Sequence, residues 1–204
     1  MLTMEKIAKD LNLRMFSSSA FFRRFPKIGN LLGQHFLSGK LRGREFTIYV
    51  TKFPRCNYFP LSLVVETQLL RPASPESPNI TIKSKPFLYS MHRIFNGNIR
   101  PSGYHALDTK LLFSAGDRVL LEKILQYEEL QDQLCEIWDG RRQHGALFVG
   151  NCTVTYHEPF RRITNSIRRR TVKVAALIGD IADVISVSTS ARYCGGWNVF
   201  SGEK

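Results

Sequence analysis

From Glu45 to Thr51 the chain alternates strictly, with Phe46, Ile48 and Val50 set against Thr47, Tyr49 and Thr51. A period of two puts successive side chains on opposite faces, so this segment is committed to a half-buried strand. Leu61, Leu63, Val65, Thr67 and Leu69 repeat the pattern, as do Ile80 and Ile82. Further along, ALFV and CTVTY flank Gly150-Asn151. Glycine at the first central position of a two-residue loop suits a type II′ turn, which predicts a hairpin centred on that pair.

Elsewhere the period lengthens. Thr3 is placed to cap a short helix in which Met4, Ile7, Ala8 and Leu11 share a face. SAGD offers Ser114 or Asp117 as the cap of a second helix, whose stripe of Leu120, Ile124, Leu130, Leu134 and Ile137 runs toward Gly140. Tyr127 marks a kink or break in it, and Glu128, Glu129, Asp132 and Glu136 occupy its other faces. Ile167, Val174, Ile178, Ile181 and Ile185 outline a last amphipathic helix. The stretch holding Pro26, Gly29, Gly33, Gly39 and Gly43 reads as loop, RPASPESPN as a surface connection, and 86–106 as a long irregular loop. The expected fold is an α+β single domain, an antiparallel sheet packed against a few amphipathic helices. Residues 1–34 form an N-terminal helix and a basic aromatic segment, 35–190 the core, and 191–204 a tail.

The chain has 204 residues and 43% hydrophobic content. That excludes collagen, a disulfide scaffold and wholesale disorder, and a core can form without metal or disulfide. No run approaches the ~18 apolar residues of a membrane-spanning helix. Cys56, Cys135, Cys152 and Cys194 include no C-x-x-C pair. With no secretory apolar segment at the N-terminus, reduced thiols and a cytoplasmic location, peripheral to a membrane at most, are the simplest expectation. Arg and Ser in 14–27 resemble part of a transit peptide, but Glu5 and Asp10 oppose that.

Chemical motifs are sparse. Gly33 to Leu41 imitates a phosphate loop but has five residues between its glycines, and Leu41 stands where a hydroxyl is needed. His35, His92, His105, His144 and His157 include no pair three or four apart, so no helix presents a two-His metal face. Cys152 and His157 have the residue types of a nucleophile and its base. On one strand, however, even and odd positions face opposite ways, which reads Cys152 as a buried core thiol beside Val154 and Tyr156. Cys194, next to Gly195 and Gly196, is expected to be exposed. Asp180 and Asp183 share a helix side. They offer oxygens for a metal or a basic partner, or form a solvated face aided by Arg169, Lys173 or a neighbouring basic segment. No catalytic residue, metal ligand or cofactor is assigned.

The formal charge of +12 is the sharper signal. Residues 1–60 carry +8, 61–110 carry +3, 111–160 carry −4 and 161–204 carry +5. Two basic clusters stand out. Arg161, Arg162, Arg168, Arg169, Arg170 and Lys173 surround the start of the last helix, where cations oppose the helix dipole. Pairing with Glu128, Glu129, Asp132 and Glu136 would satisfy them internally, and an external anion is the alternative. The other cluster is Phe21-Phe22-Arg23-Arg24-Phe25-Pro26-Lys27. Aromatics interleaved with cations suit single-stranded bases or a lipid headgroup boundary, whereas phenylalanines plugging an apolar edge are the ordinary reading.

KIAKDLNLRMF, GKLRGREFTIYV, and FSAGDRVLLEKIL followed by ALFVGNCTVTY together resemble an uncharacterised bacterial domain family. Its members show a short helix, a Gly/Arg-rich strand entry and a Gly-Asp before a Leu-rich helix, and some are membrane-anchored. The resemblance spans most of residues 5–187 and implies a single α+β domain without assigning an activity. The expectation is a non-enzymatic binding or scaffolding domain whose basic surface engages an acidic protein or an anionic membrane surface. Non-specific nucleic-acid binding and an unrecognised hydrolase or transferase are the alternatives, and no small-molecule ligand is predicted.

Overall fold

The alternating segment becomes the strand Arg44–Lys52, and seven further strands extend it on both sides. A computed structural model describes residues 2–17, 35–52, 61–70, 73, 79–85, 101–138, 145–160 and 164–194. The strands are β1 (Arg14–Ser17), β2 (His35–Leu41), β3 (Arg44–Lys52), β4 (Leu61–Gln68), β5 (Ile80–Ser84), β6 (Leu111–Ser114), β7 (Ala146–Val149) and β8 (Thr153–Phe160). The helices are α1 (Leu2–Asp10), α2 (His105–Lys110), α3 (Arg118–Leu125), α4 (Glu128–Ile137) and α5 (Asn165–Cys194). All strand pairs are antiparallel, in the order β1-β2-β3-β4-β8-β7-β5-β6. The α+β architecture with an antiparallel sheet is therefore the one the periodicities imply.

Register explains the core. Met15, Leu37, Ile48, Val65, Tyr156, Leu147, Ile82 and Phe113 form one continuous row across all eight strands. All but Met15, on the edge strand, are buried and belong to the main apolar cluster. α5 covers this face at β4 and β8 and is itself backed by α1, α3 and α4. Its Val174, Leu177, Ile178, Ile181, Ala182 and Ile185 are fully buried, an arc wide enough to meet both layers. Buried Phe36, Val64 and Leu112 project from the opposite face and lie outside that cluster.

Several expectations change. α1 starts at Leu2, so Thr3 lies within it, although Met4, Ile7, Ala8 and Leu11 are buried as its periodicity requires. Parts of the supposed N-terminal loop are strands β1 and β2, and β1 pairs with β2 in the core sheet. β2 and β3 are joined by Arg42-Gly43, both at positive φ (51° and 79°), as a two-residue primed turn needs. The β7–β8 hairpin exists, but Gly150 pairs with Thr153, so its central residues are Asn151-Cys152. Gly150 and Asn151 have negative φ, and the turn is instead tied from outside, the amides of Leu69 and Ala73 donating to the carbonyls of Cys152 and Asn151. Ala73, in the supposed surface connection, is fully buried. Asp117 is the cap of α3, accepting from the Leu120 amide at 2.9 Å, and the chain breaks at Tyr127 into α3 and α4. α4 ends at Ile137, short of Gly140, while α5 runs to Cys194, past the expected boundary at 190. The tail 195–204 and most of the loop 86–106 lie outside the described residues; 101–104 precede α2.

Strand polarity also gathers the connections. β1, β3, β5 and β8 end, and β2, β4, β6 and β7 begin, at the same end of the sheet. The segments 18–34, 53–60, 139–144 and 161–163 therefore join strands there, and 86–100 starts there, while Pro101, the residue after it, lines a cavity at the far end of β6.

Candidate functional site

Three of the six residues in the basic cluster at the start of α5 are neutralised by the fold. Arg168 donates to both carboxylate oxygens of Asp10 at the end of α1, at 2.7 and 2.9 Å. These bonds hold the Asp10 carboxyl below its ordinary range and raise the guanidinium's. Arg170 pairs with Glu158 of β8, and Lys173 with Glu136 of α4. Among the described residues Glu136 is the one expected acidic partner used, and Asp10 and Glu158 supply the others. Arg168, Arg170 and Lys173 thus make ion pairs within the fold, as the internal-pairing reading of the cluster requires, though mostly with other partners than expected. Arg169 is exposed and makes no ion pair among the described residues. Arg161, Arg162, Arg23, Arg24 and Lys27 lie outside the described residues.

Asp180 and Asp183 face the β2–β3 turn. Arg42 bonds Asp180, which also accepts from Gln133 Nε2 at 2.9 Å. Arg44 is only 6% exposed; its Nε reaches Asp183 at 2.7 Å, and its Nη2 donates to the Ala182 carbonyl and Ser186 hydroxyl at 3.1 and 3.0 Å. The aspartates therefore clamp the basic Gly-rich turn onto α5, the neighbouring-basic-segment reading of them.

Glu158 is 4% exposed on the helix-facing side of β8. Burial raises its carboxyl despite Arg170, and burial with the nearby Glu158 raises the Tyr156 phenol. Tyr156 donates to Glu158 at 3.3 Å and stacks edge-on against Trp138, whose indole donates to the Gly145 carbonyl. A Cβ on Gly145 would lie 2.0 Å from the Tyr156 oxygen, so glycine is what admits the ring.

The opposite sheet face carries Tyr49, Val64 and His157 in one row, with Glu66 beside them on β4. Burial lowers the His157 imidazole and raises Glu66; burial and Glu66 push Tyr49 up to about 12. His157 lies edge-on to Phe148. Cys152 is not its partner: it sits exposed in the hairpin turn, not buried on the strand, because β8 begins one residue later. Among the described residues no three His, Cys, Asp or Glu are grouped to hold a metal, and two cavities beside α3 include no His, Cys or Asp in their linings.

What escapes neutralisation is elsewhere. The described residues hold 17 Lys/Arg and 14 Asp/Glu, so only +3 of the +12 belongs to the framework. The five segments that join strands or start at one end of the sheet hold ten Lys/Arg and a single acid, Asp139. No family model, curated protein or solved structure matches the chain.

Proposed function

We propose that this chain is a non-enzymatic binding domain whose basic end engages an anionic surface, that of a membrane or an acidic protein, from the cytoplasmic side. One observation carries the reading: the described framework is close to charge balance, with 17 Lys/Arg against 14 Asp/Glu, while the strand polarity joins acid-poor segments to one end of the sheet. A field of one sign at one end draws anionic partners and orients them. Three of those segments also contain nine Phe or Tyr residues, including Phe21, Phe22 and Phe25, and aromatic rings beside cations suit a headgroup boundary. Among the described residues no helix is long and apolar enough to cross a bilayer, so association would be through the surface.

Flotation of the full chain with phosphatidylserine-containing vesicles, with neutral vesicles as control, and pull-down on an immobilised acidic polypeptide test this. Salt-sensitive capture by either is expected, with each basic residue near an anionic bilayer contributing about 1 kcal/mol. Absence of capture in both at low salt would overturn the proposal. Capture only by nucleic acid, with affinity falling steeply with salt, would replace it with the nucleic-acid reading.

A further inference from the structure

A cavity of about 300 Å³ opens between the end of β6 and the first turns of α3. Phe113, Ala115, Leu121 and Leu125 give it an apolar lining, and Arg118 and Glu122 stand among its polar groups. Arg118 follows the cap Asp117 as the first residue of α3, where a cation opposes the helix dipole, and no acid occupies that first turn. Its Nε donates to Glu122 one turn on, at 2.7 Å. Both terminal Nη groups are left without a partner among the described residues, and the side chain is 68% exposed. A cavity with one apolar wall and a polar rim that includes Ser102 and Glu122 thus meets a guanidinium fork with unspent donors, and the fork is the geometry that receives a carboxylate.

We propose that this cavity binds a small amphipathic carboxylate, its apolar body on Phe113, Leu121 and Leu125 and its head group on the Arg118 Nη atoms. The volume lies at the lower end of small-molecule sites, which suits a short acyl chain or a single ring and excludes a dinucleotide. This binding is separate from the basic end of the sheet.

Octanoate and its neutral counterpart 1-octanol serve as probes, titrated onto the full chain and followed by saturation-transfer NMR. Octanoate should bind saturably at one site. Arg118→Gln, a change at an exposed position, should weaken octanoate about tenfold and leave octanol unchanged. Ala115→Leu should fill the cavity and abolish both. Absence of saturable octanoate binding, or octanoate affinity unaffected by Arg118→Gln, overturns the proposal. Should Ala115→Leu fail to fold by circular dichroism, the Arg118→Gln comparison decides alone.

Discussion

Arg44 and Glu158 show how a two-residue period places charge as firmly as it places apolar groups. Arg44 shares parity with Phe46, Ile48 and Val50, and Glu158 with Val154, Tyr156 and Phe160, so each must point toward the helices. A charge in that position needs a partner, and parity alone is enough to mark both residues as buried ions. Their partners, Asp183 and Arg170, come from a helix over a hundred residues away in one case and twelve in the other, and no local pattern encodes that choice. Arg44→Ala removes a buried cation bonded to a carboxylate, a carbonyl and a hydroxyl, and urea unfolding should record a loss of about 2–4 kcal/mol. Glu66 supplies a pH test. Its folded carboxyl is raised above 4.5, so above that pH the folded chain retains a proton that the unfolded chain has released. Stability contributed this way is fully present below the unfolded value and is lost as pH rises through the folded one. Glu66→Gln should flatten the decline in unfolding free energy from pH 4.5 upward. It should also bring the Tyr49 phenol down from about 12 toward, but not to, its ordinary value, because burial remains; an ultraviolet titration reads this directly. An unchanged Tyr49 titration would show that Glu66 does not act on it.

At the scale of elements, legibility follows the strength of the repeat. β3, β4, β5, β8 and the long stripe of α5 are readable because their apolar positions recur in phase over several residues. The cap at Asp117 and the break at Tyr127 are readable because capping and interruption are local. β1 and β2 are not: MFS is too short to show a period, and HFLSGKL carries Ser, Gly and Lys in three successive positions. At Gly39 a Cβ would stand 3.0 Å from the end of the Leu13 side chain, so the small residue suits a tertiary approach that has no sequence signature. The two hairpin turns make the same point in reverse. Gly150-Asn151 has the composition of a primed turn without the conformation, whereas Arg42-Gly43 has the conformation with only half the composition. Gly43→Ala should therefore cost about 1 kcal/mol, because φ is +79° there. Gly150→Ala should stay within about 0.5 kcal/mol, since its Cβ would meet nothing closer than 3.6 Å. Equal melting shifts for the two variants would contradict the assignment of the turns.

Over the whole molecule, net charge is a poor guide to where charge is available. Apart from Arg169, exposed and unpaired on α5 among the described residues, the clustered basic residues divide into those consumed by the fold (Arg168, Arg170 and Lys173) and those on segments that join one end of the sheet, including Arg23, Arg24, Arg161 and Arg162. Sequence proximity mixes the two groups, because Arg162 and Arg168 are six apart yet one belongs to a connection and the other to a helix facing Asp10. Only strand order and polarity separate them. The separation has a measurable form. Replacing Arg23, Arg24, Arg161 and Arg162 by Gln lowers the formal charge from +12 to +8 and should abolish capture by anionic vesicles. Replacing Arg168 and Lys173 by Gln lowers it to +10, should leave capture at moderate ionic strength close to that of the parent chain, and should reduce thermal stability, since Asp10 and Glu136 lose their partners. If capture instead tracks net charge alone, with the second variant halfway between the parent and the first, binding is diffuse and the basic end is not its seat.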